Sequence, residues 1–471
     1  MNEAYDLIVI GAGAAGLTAA GFGGRINAKV ALIEKNKLGG DCTWVGCVPS
    51  KALLKIAKVA HTIRTADKYG ITSSPPEIDM AKVRDYVQNT VQEIYQHETP
   101  EVFSEEYNVD VVLGKAEFID SYTVKVGERT LTAKKIILAT GAKPLVPPID
   151  GIEDVPYHTN LTIFEKDYLP DHLLIIGGGP IGMEMAQAHA RLGARVTVMD
   201  SAIMRRDDPE VAQVLQSILE REGVNFELGM VKSAHMDGDI IVLKLDNGTL
   251  VSGDMLLVAA GRIPNVHGLG LDAAGVAYTD QGIQVDKFLR TSAEHIYAVG
   301  DCTPGPKFTH YSGWQASVAA RNALFPIVNS NGHDENLPWV TFTEPEAAHV
   351  GLTEVQARQK FGDAVKVYYF PLTLGDRSMT EDDREGFIKI IYKGSGTLLG
   401  ATVVANRAGE MIVEFGYALR RGFGFSDIVG MMHAYPTYSD VVRKAVSYVM
   451  IEELFEGASG RVINTVSKVL F

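Results

Sequence analysis

Cysteine is scarce in this chain. Three residues in 471 make a poor disulfide framework, and a reducing compartment opens structural bridges in any case. Runs of Lys and Arg longer than two are missing, and 44 basic against 58 acidic side chains leave a formal charge of −14. That balance argues against nucleic-acid partners, whose phosphates are held by locally dense cations. No window holds the roughly 18 uncharged apolar residues that a spanning helix requires. The opening MNEAYDLIVIGAG has no basic stretch followed by an unbroken apolar run, the mark of a secretory signal. A soluble, cytoplasmic protein without a membrane span is expected. With 46% apolar and 22% charged residues, the composition excludes disorder and fibrous repeats. A chain of 471 residues exceeds the roughly 250–300 at which a single core stops growing, so two or three domains are expected.

What the sequence does have is a glycine turn written twice. YDLIVIGAGAAGLTAA is a buried-strand run, Tyr5 to Ile10, followed at once by Gly11, Gly13 and Gly16 and a helical stretch. The next strand, KVALIE, ends at Glu34, 23 residues after Gly11. HLLIIGGGPIGMEMA repeats the plan with Gly177, Gly179 and Gly182, and RVTVMD ends at Asp200, again 23 residues after its first glycine. Strand, tight turn, helix N-terminus and strand-end acid together form a dinucleotide fingerprint: the helix end holds a pyrophosphate and the acid accepts from a ribose diol. Two such sites in one chain suggest two cofactors passing electrons between them.

Two of the three cysteines, Cys42 and Cys47, stand five apart in GGDCTWVGCVPSK. A regular helix would set them about 140° apart with a rise near 7.5 Å, beyond ordinary disulfide spacing. The segment must therefore bend, and Gly46 permits that. Pro49 suits the start of a helix whose apolar spacing runs from Lys51 onward. A thiol near that helix N-terminus would have its thiolate stabilised. The competing account is two buried thiols acting as small apolar residues. Cys302 has no partner nearby in sequence and reads as a packed, unreactive thiol.

Over its full length the chain resembles the class I flavoprotein disulfide reductases, the family of glutathione reductase, dihydrolipoamide dehydrogenase and mercuric reductase. The likeness rests on both glycine turns, the cysteine pair, ILATGAKP, VAAGRIPN, TSAEHIYAVGD and the tail HAYPTYSD. It implies an α/β fold: two Rossmann-like dinucleotide-binding domains plus a C-terminal α+β dimerisation domain. The implied boundaries are 1–150 and 271–336 for a discontinuous FAD domain, 151–270 for an inserted NAD(P)H domain and 337–471 for the interface domain of a homodimer. FAD would occupy the first site and NAD(P)H the second. Implied cofactor-contacting positions are Gly11, Gly13, Ala14, Ala15 and Gly16 in the first turn, Glu34 and Lys35 at its acid, and Gly40 and Lys51 around the cysteines. Gly114, Ala116, Thr140 and Gly141 follow, then Gly177, Gly179, Pro180, Ile181, Gly182 and Asp200 in the second turn, then Gly261, Arg262 and Asp301. The family aspartate that Asp301 matches hydrogen-bonds the flavin's ribityl chain. No resident metal site is implied.

The resemblance also assigns roles. Cys47 would face the flavin and give a charge-transfer complex, Cys42 would exchange with substrate, and Lys51 with Glu184 would form an ion pair beside the flavin. Asp200 favours NADH, because a carboxylate there accepts from a 2'-hydroxyl and repels a 2'-phosphate. Arg205 and Arg206 are either holders of that phosphate or a solvated turn. The family tail His-x-His-Pro-Thr-x-Ser-Glu is here His433 to Asp440, with Tyr435 replacing the second histidine and Asp440 the glutamate. Tyrosine titrates near 10 and is mostly a donor rather than a base, which puts dithiol substrates in doubt and points to a mercuric-reductase-like metal or an unusual disulfide as acceptor. His433 either substitutes as base or is structural, and Trp44 either narrows the entrance or packs. The sequence ends in NTVSKVLF without the cysteine pair of mercuric-reductase tails, so metal would be delivered straight to Cys42 and Cys47. Alternatives are a dihydrolipoamide dehydrogenase with an altered base and a non-catalytic flavin-binding redox sensor.

Overall fold

Residues 5–10 are almost wholly apolar because the strand Glu3–Ile10 is covered on both faces, as interior strands of parallel sheets are. In the computed structural model, which describes residues 3–325, 327–394 and 396–456, this strand pairs in parallel with Val30–Glu34 on one side and Arg129–Leu138 on the other. Val109–Leu113 extends the sheet beyond Val30–Glu34, and Ile296–Ala298 extends it beyond Arg129–Leu138, both in parallel. Helices Ala14–Arg25 and Thr309–Leu324 share one apolar core on a face of this sheet, around Leu7, Val9, Leu32 and Ile137.

The plan recurs at His172–Ile176, flanked in parallel by Arg195–Asp200 and Met255–Val258. The duplication read from sequence is also a duplication of backbone geometry. Gly11 has φ +100° and Gly177 φ +120°, and a Cβ at either would lie 2.3 Å from Ala139 O or 2.4 Å from Ala259 O. Only glycine adopts this conformation at such a close approach.

The chain folds as two compact units. One comprises residues 1–177, 188–200 and 229–334; the other comprises 178–187, 201–228 and 335–471. The second unit is built on an antiparallel sheet ordered Trp339–Thr341, Glu346–Gly351, Thr397–Ala405, Phe387–Lys393 and Val365–Pro371. Its core packs beneath helices Ala408–Arg421 and Tyr438–Glu456. The stretch WVTFTEPEAAHVGLTE forms two antiparallel strands, Trp339–Thr341 and Glu346–Gly351, joined by a short turn. Fold and composition agree on a mixed α/β protein, and among the described residues no helix is long and apolar enough to cross a membrane. The NTVSKVLF terminus lies outside the described residues.

Polar groups buried in the second unit make its stability pH-dependent. Burial pushes Asp207 up to about 6, against a 2.8 Å hydrogen bond from Trp339 Nε1. Burial also holds His349 down at about 4. Asp207 binds its proton more tightly folded than unfolded, so its contribution is full below its ordinary 3.8 and fades as pH rises toward 6. His349 does the reverse: its contribution is full above 6.5 and fades as pH falls toward 4. Over the shared window the two slopes oppose. Asp207→Asn should therefore steepen the fall of the urea midpoint between about pH 6 and 4.5 relative to the parent; equal slopes would contradict the assignment.

Candidate active site

The cysteine segment is two helices meeting at a glycine. Gly40–Val45 carries Cys42, and Cys47–Arg64 begins at Cys47 itself, two residues before the start expected at Pro49. Gly46 joins them with φ −127° and ψ −111°, and a Cβ there would lie 2.7 Å from Asp41 O. The bend expected from sequence is present, and close approach explains its glycine. Cys47 is exposed and Cys42 half-buried, both as thiols. Hydrogen bonding to Cys47 and burial push the Cys42 thiol well above its ordinary range. Cys47 sits at the first position of an 18-residue helix, where the helix dipole favours a thiolate. Hydrogen bonding and burial thus favour the protonated form of Cys42, while the helix N-terminus favours a thiolate at Cys47. Lys51 follows one turn later on the same helix face as Cys47.

Thr309 is the contact that the sequence did not reveal. Its Oγ1 lies 3.3 Å from Cys47 Sγ, and its hydrogen bonding also draws Cys42 downward. The only signal was its place at the start of helix Thr309–Leu324, eight residues after Asp301. Trp44 packs: its Nε1 donates to Leu38 O at 2.7 Å, and its ring meets Tyr95 at 4.7 Å and Lys37 Nζ at 4.2 Å. Cys302 is buried, its thiol directed at Val299 O and raised by burial, as a packed residue should be.

The first glycine turn meets the steric requirements of a dinucleotide. A Cβ on Gly16 would sit 1.7 Å from Gly11 O, and one on Gly40 2.7 Å from Gly13 Cα. Helix Ala14–Arg25, with Ala14 and Ala15 in its first turn, follows a Gly13 N-cap that offers no capping side chain. Its first N–H groups are therefore disposed toward an anion. Glu34 stands at the strand end with Oε2 accepting from Ala12 N at 2.8 Å, whereas Lys35 points to solvent. Gly114 N donates to Glu34 O, and Ala116 is buried one strand further on. Thr140 and Gly141 are fixed by Asn265, whose O accepts from Thr140 Oγ1 at 2.8 Å and whose N donates to Gly141 O at 2.9 Å. Gly261 has φ +136°. Arg262 follows it, paired through Nη2 with Asp41 and with Ala142 O at 2.7 Å. Its buried Nε lies 3.6 Å from Asp301 Oδ2 and makes no hydrogen bond. Burial raises Asp301 above the ordinary carboxylate value against the pull of Arg262 and Lys307. A buried arginine nitrogen that makes no hydrogen bond, beside a carboxylate raised by burial, fits a bound polar chain.

In the second turn a Cβ on Gly179 would meet nothing within 4 Å, leaving room for a phosphate. Pro180 and Ile181 open helix Pro180–Leu192 with Gly182 behind them, and Asp200 ends its strand half-buried. Arg205 and Arg206 are exposed. Glu184 is buried and its Oε1 accepts from Phe342 N at 2.9 Å.

In the tail, Glu414 joins two of the motif residues, meeting His433 Nε2 at 2.8 Å and Ser439 Oγ at 3.0 Å. His433 Nδ1 faces Met431 O at 2.9 Å and Nε2 faces Glu414 Oε1 at 2.8 Å, with its side chain 2% exposed. Both ring nitrogens are engaged with acceptors, which favours the structural role over the role of base. The Asp440 carboxylate is paired with Arg443 at 2.7 Å, and the carboxylate that meets His433 is Glu414, distant in sequence and unmarked by any motif. Tyr435 is 69% exposed, and a hydrogen bond with Asp376 pushes its phenol above the ordinary value. His433→Gln should cost stability but leave turnover within about threefold of the parent, whereas loss of a general base costs roughly a hundredfold or more. A loss of that larger size in a folded variant would restore His433 as the base.

The sequence profile for "Pyridine nucleotide-disulphide oxidoreductase" matches residues 5–316, and the profile for the dimerisation domain of the same family matches 337–446. A mercuric reductase of Bacillus cereus is 34% identical over 453 residues, covering 94% of this chain and 71% of that protein. A dihydrolipoyl dehydrogenase of Thermus scotoductus is 35% identical over 461 residues, covering 94% and 97%. Among solved structures, the Cu(II) complex of the HOCl-induced flavoprotein disulfide reductase RclA from Escherichia coli superposes with a TM-score of 0.85 at 28% identity, covering 94% of this chain and 99% of that one. LpdA from Mycobacterium tuberculosis gives 0.86 at 26%, covering 94% and 100%.

Proposed function

Because the chain belongs to the pyridine nucleotide-disulphide oxidoreductases, FAD-dependent enzymes that use NAD(P)H, we propose that it passes electrons from NADH to the Cys42–Cys47 pair and on to a metal ion bound by those sulfurs. The observation that carries the reading is the asymmetric thiol pair at the junction of two helices; separately, the tail's His433 has both ring nitrogens engaged. The proposed domain division is that expected above, with 1–150 and 271–336 holding FAD, 151–270 the nicotinamide nucleotide and 337–471 the interface of a cytoplasmic homodimer.

FAD, held by Gly11, Gly13, Gly16, Glu34, Arg262 and Asp301, would supply a two-electron relay between nicotinamide and sulfur. The protein's own chemistry is at sulfur. Two electrons and one proton, together the hydride equivalent that NADH gives up, break the S–S bond and leave Cys47 as thiolate and Cys42 as thiol. Thiolates are soft ligands that select soft metals, and Cys42 gives up its proton when a metal ion replaces it. When the pair re-forms its disulfide it returns two electrons, enough for one Hg(II) or for two Cu(II) ions each gaining one. The RclA structure contains Cu(II), and mercuric reductases are among the relatives, so both ions are candidates. Lys51, one turn from Cys47, keeps positive charge on the thiolate's side of the helix. Asp200 underlies the choice of NADH.

The second reading is a dihydrolipoamide dehydrogenase, favoured by the Thermus relative; it needs a base that the tail lacks. Steady-state oxidation of NADH and NADPH with Hg(II), Cu(II), lipoamide, oxidised glutathione and quinones separates the cases. Metal-dependent turnover is expected. Fast lipoamide turnover lost in Tyr435→Phe would favour the second reading, and no turnover with any acceptor would leave a redox sensor.

A further inference from the structure

Strand Phe387–Lys393 is apolar at Ile388, Ile390 and Ile391, yet carries the fully buried Lys389 between them. Its Nζ lies 2.8 Å from Glu354 Oε2, 3.1 Å from Glu210 Oε2 and 3.4 Å from Asp208 Oδ2. Asp208, equally buried, accepts further from Thr402 Oγ1 at 3.1 Å and Glu354 N at 3.2 Å. Desolvating such a cluster costs enough that apolar replacements are often neutral or stabilising. Packing alone is therefore a weak reason for its presence.

The geometry of Asp208 gives a better one. It occupies the N-cap of helix Pro209–Arg221 with proline at the first position, where an aspartate ordinarily caps its own helix. Here the side chain makes no capping bond and is committed to Lys389 and Thr402. The residue before it, Asp207, accepts from Trp339 Nε1 at 2.8 Å. At the other end of the same loop, Met204 N donates to Gly178 O at 2.9 Å, inside the second glycine turn, with Met204 at φ +47°, a left-handed conformation uncommon for a side-chain-bearing residue. Between these anchors stand Arg205 and Arg206, five and six residues beyond Asp200. Arg205 is itself hydrogen-bonded to Ser201 Oγ.

We propose that Lys389, with Asp208, Thr402 and Trp339, is a positioning device for the nicotinamide nucleotide: it fixes the loop 201–208 against the glycine turn and so sets how tightly the adenosine ribose is held and how strongly a 2'-phosphate is refused. The proposal rests on the second glycine turn being the NAD(P)H site. A pinned loop keeps both arginines where they are, so a 2'-phosphate cannot recruit them; a loosened loop lets them move toward it.

Thr402→Val and Trp339→Phe each remove one hydrogen bond to the loop and keep the ion pairs; Lys389→Met removes the hub. Measured on the FAD holoenzyme, binding of NAD⁺ and NADP⁺ by calorimetry and amide hydrogen exchange of 201–208 should respond together. In the Thr402→Val/Trp339→Phe double variant, exchange of that loop should quicken about tenfold and the Kd for NAD⁺ rise about fivefold, the sizes expected for one or two lost hydrogen bonds. The ratio of NADP⁺ to NAD⁺ dissociation constants should fall toward one, with FAD content and exchange in 403–405 unchanged. A lowered melting temperature with parental loop exchange and a parental ratio would overturn the proposal and leave a purely structural cluster. If the parent holoenzyme binds neither nucleotide, the site reading fails, and the positioning role falls with it.

Discussion

Cys47→Ser should abolish the long-wavelength absorbance band that appears when the FAD-loaded parent is titrated anaerobically with NADH, while Cys42→Ser should keep it. Both variants should lose acceptor reduction by roughly a thousandfold, the scale on which removing a reacting nucleophile acts. The asymmetry follows from the local structure. Cys47 is the first residue of an 18-residue helix and is exposed, with Thr309 Oγ1 at 3.3 Å. Cys42 lies inside the preceding short helix, half-buried, its thiol raised first by its hydrogen bond to Cys47. The helix N-terminus therefore favours the charge of the reduced pair on Cys47. A band that survives in Cys47→Ser and vanishes in Cys42→Ser would reverse the two roles while leaving the relay intact.

The second large effect is steric. Gly16→Ala should yield protein without FAD. The added methyl would lie 1.7 Å from Gly11 O, a backbone atom that cannot rotate away. Relief requires the helix Ala14–Arg25 to back off the turn that precedes it. Overpacking of this kind costs about 1–3 kcal/mol or more, and here the strain falls on the cradle itself. Gly179→Ala is the control, because its Cβ would meet no protein atom within 4 Å. It should fold and retain FAD. If it also retains parental affinity for NAD⁺, the open space beside Gly179 is not where the pyrophosphate lies.

The fold was legible where sequence and geometry share a period. The two glycine turns, their 23-residue spacing to Glu34 and Asp200, and the parallel strands between them were all visible because each glycine answers to a local requirement: a positive φ at Gly11 and Gly177, and backbone contact at Gly16. The bend at Gly46 was legible for the same reason. What sequence could not supply were partners brought from far along the chain. Thr309 meets Cys47 across 262 residues, Asp41 meets Arg262 across 221, and Lys389 meets Asp208 deep in a strand that reads as apolar. The tail shows the same limit: three residues along a helix Arg443 takes the Asp440 side chain, and Glu414 arrives from the neighbouring helix to meet His433. Local spacing fixes what a residue can reach along its own helix, not which of two acids will win a contact made in three dimensions.

The claim that matters most is that NADH reduces one particular bond, between Cys42 and Cys47, and that Cys302 takes no part. Thiols counted after unfolding test it directly, since the chain has only three cysteines. The air-oxidised FAD protein, unfolded without reductant, should show one reactive thiol, that of Cys302, and three after one anaerobic equivalent of NADH. A count that stays at one after NADH, or that is already three before it, would contradict the relay.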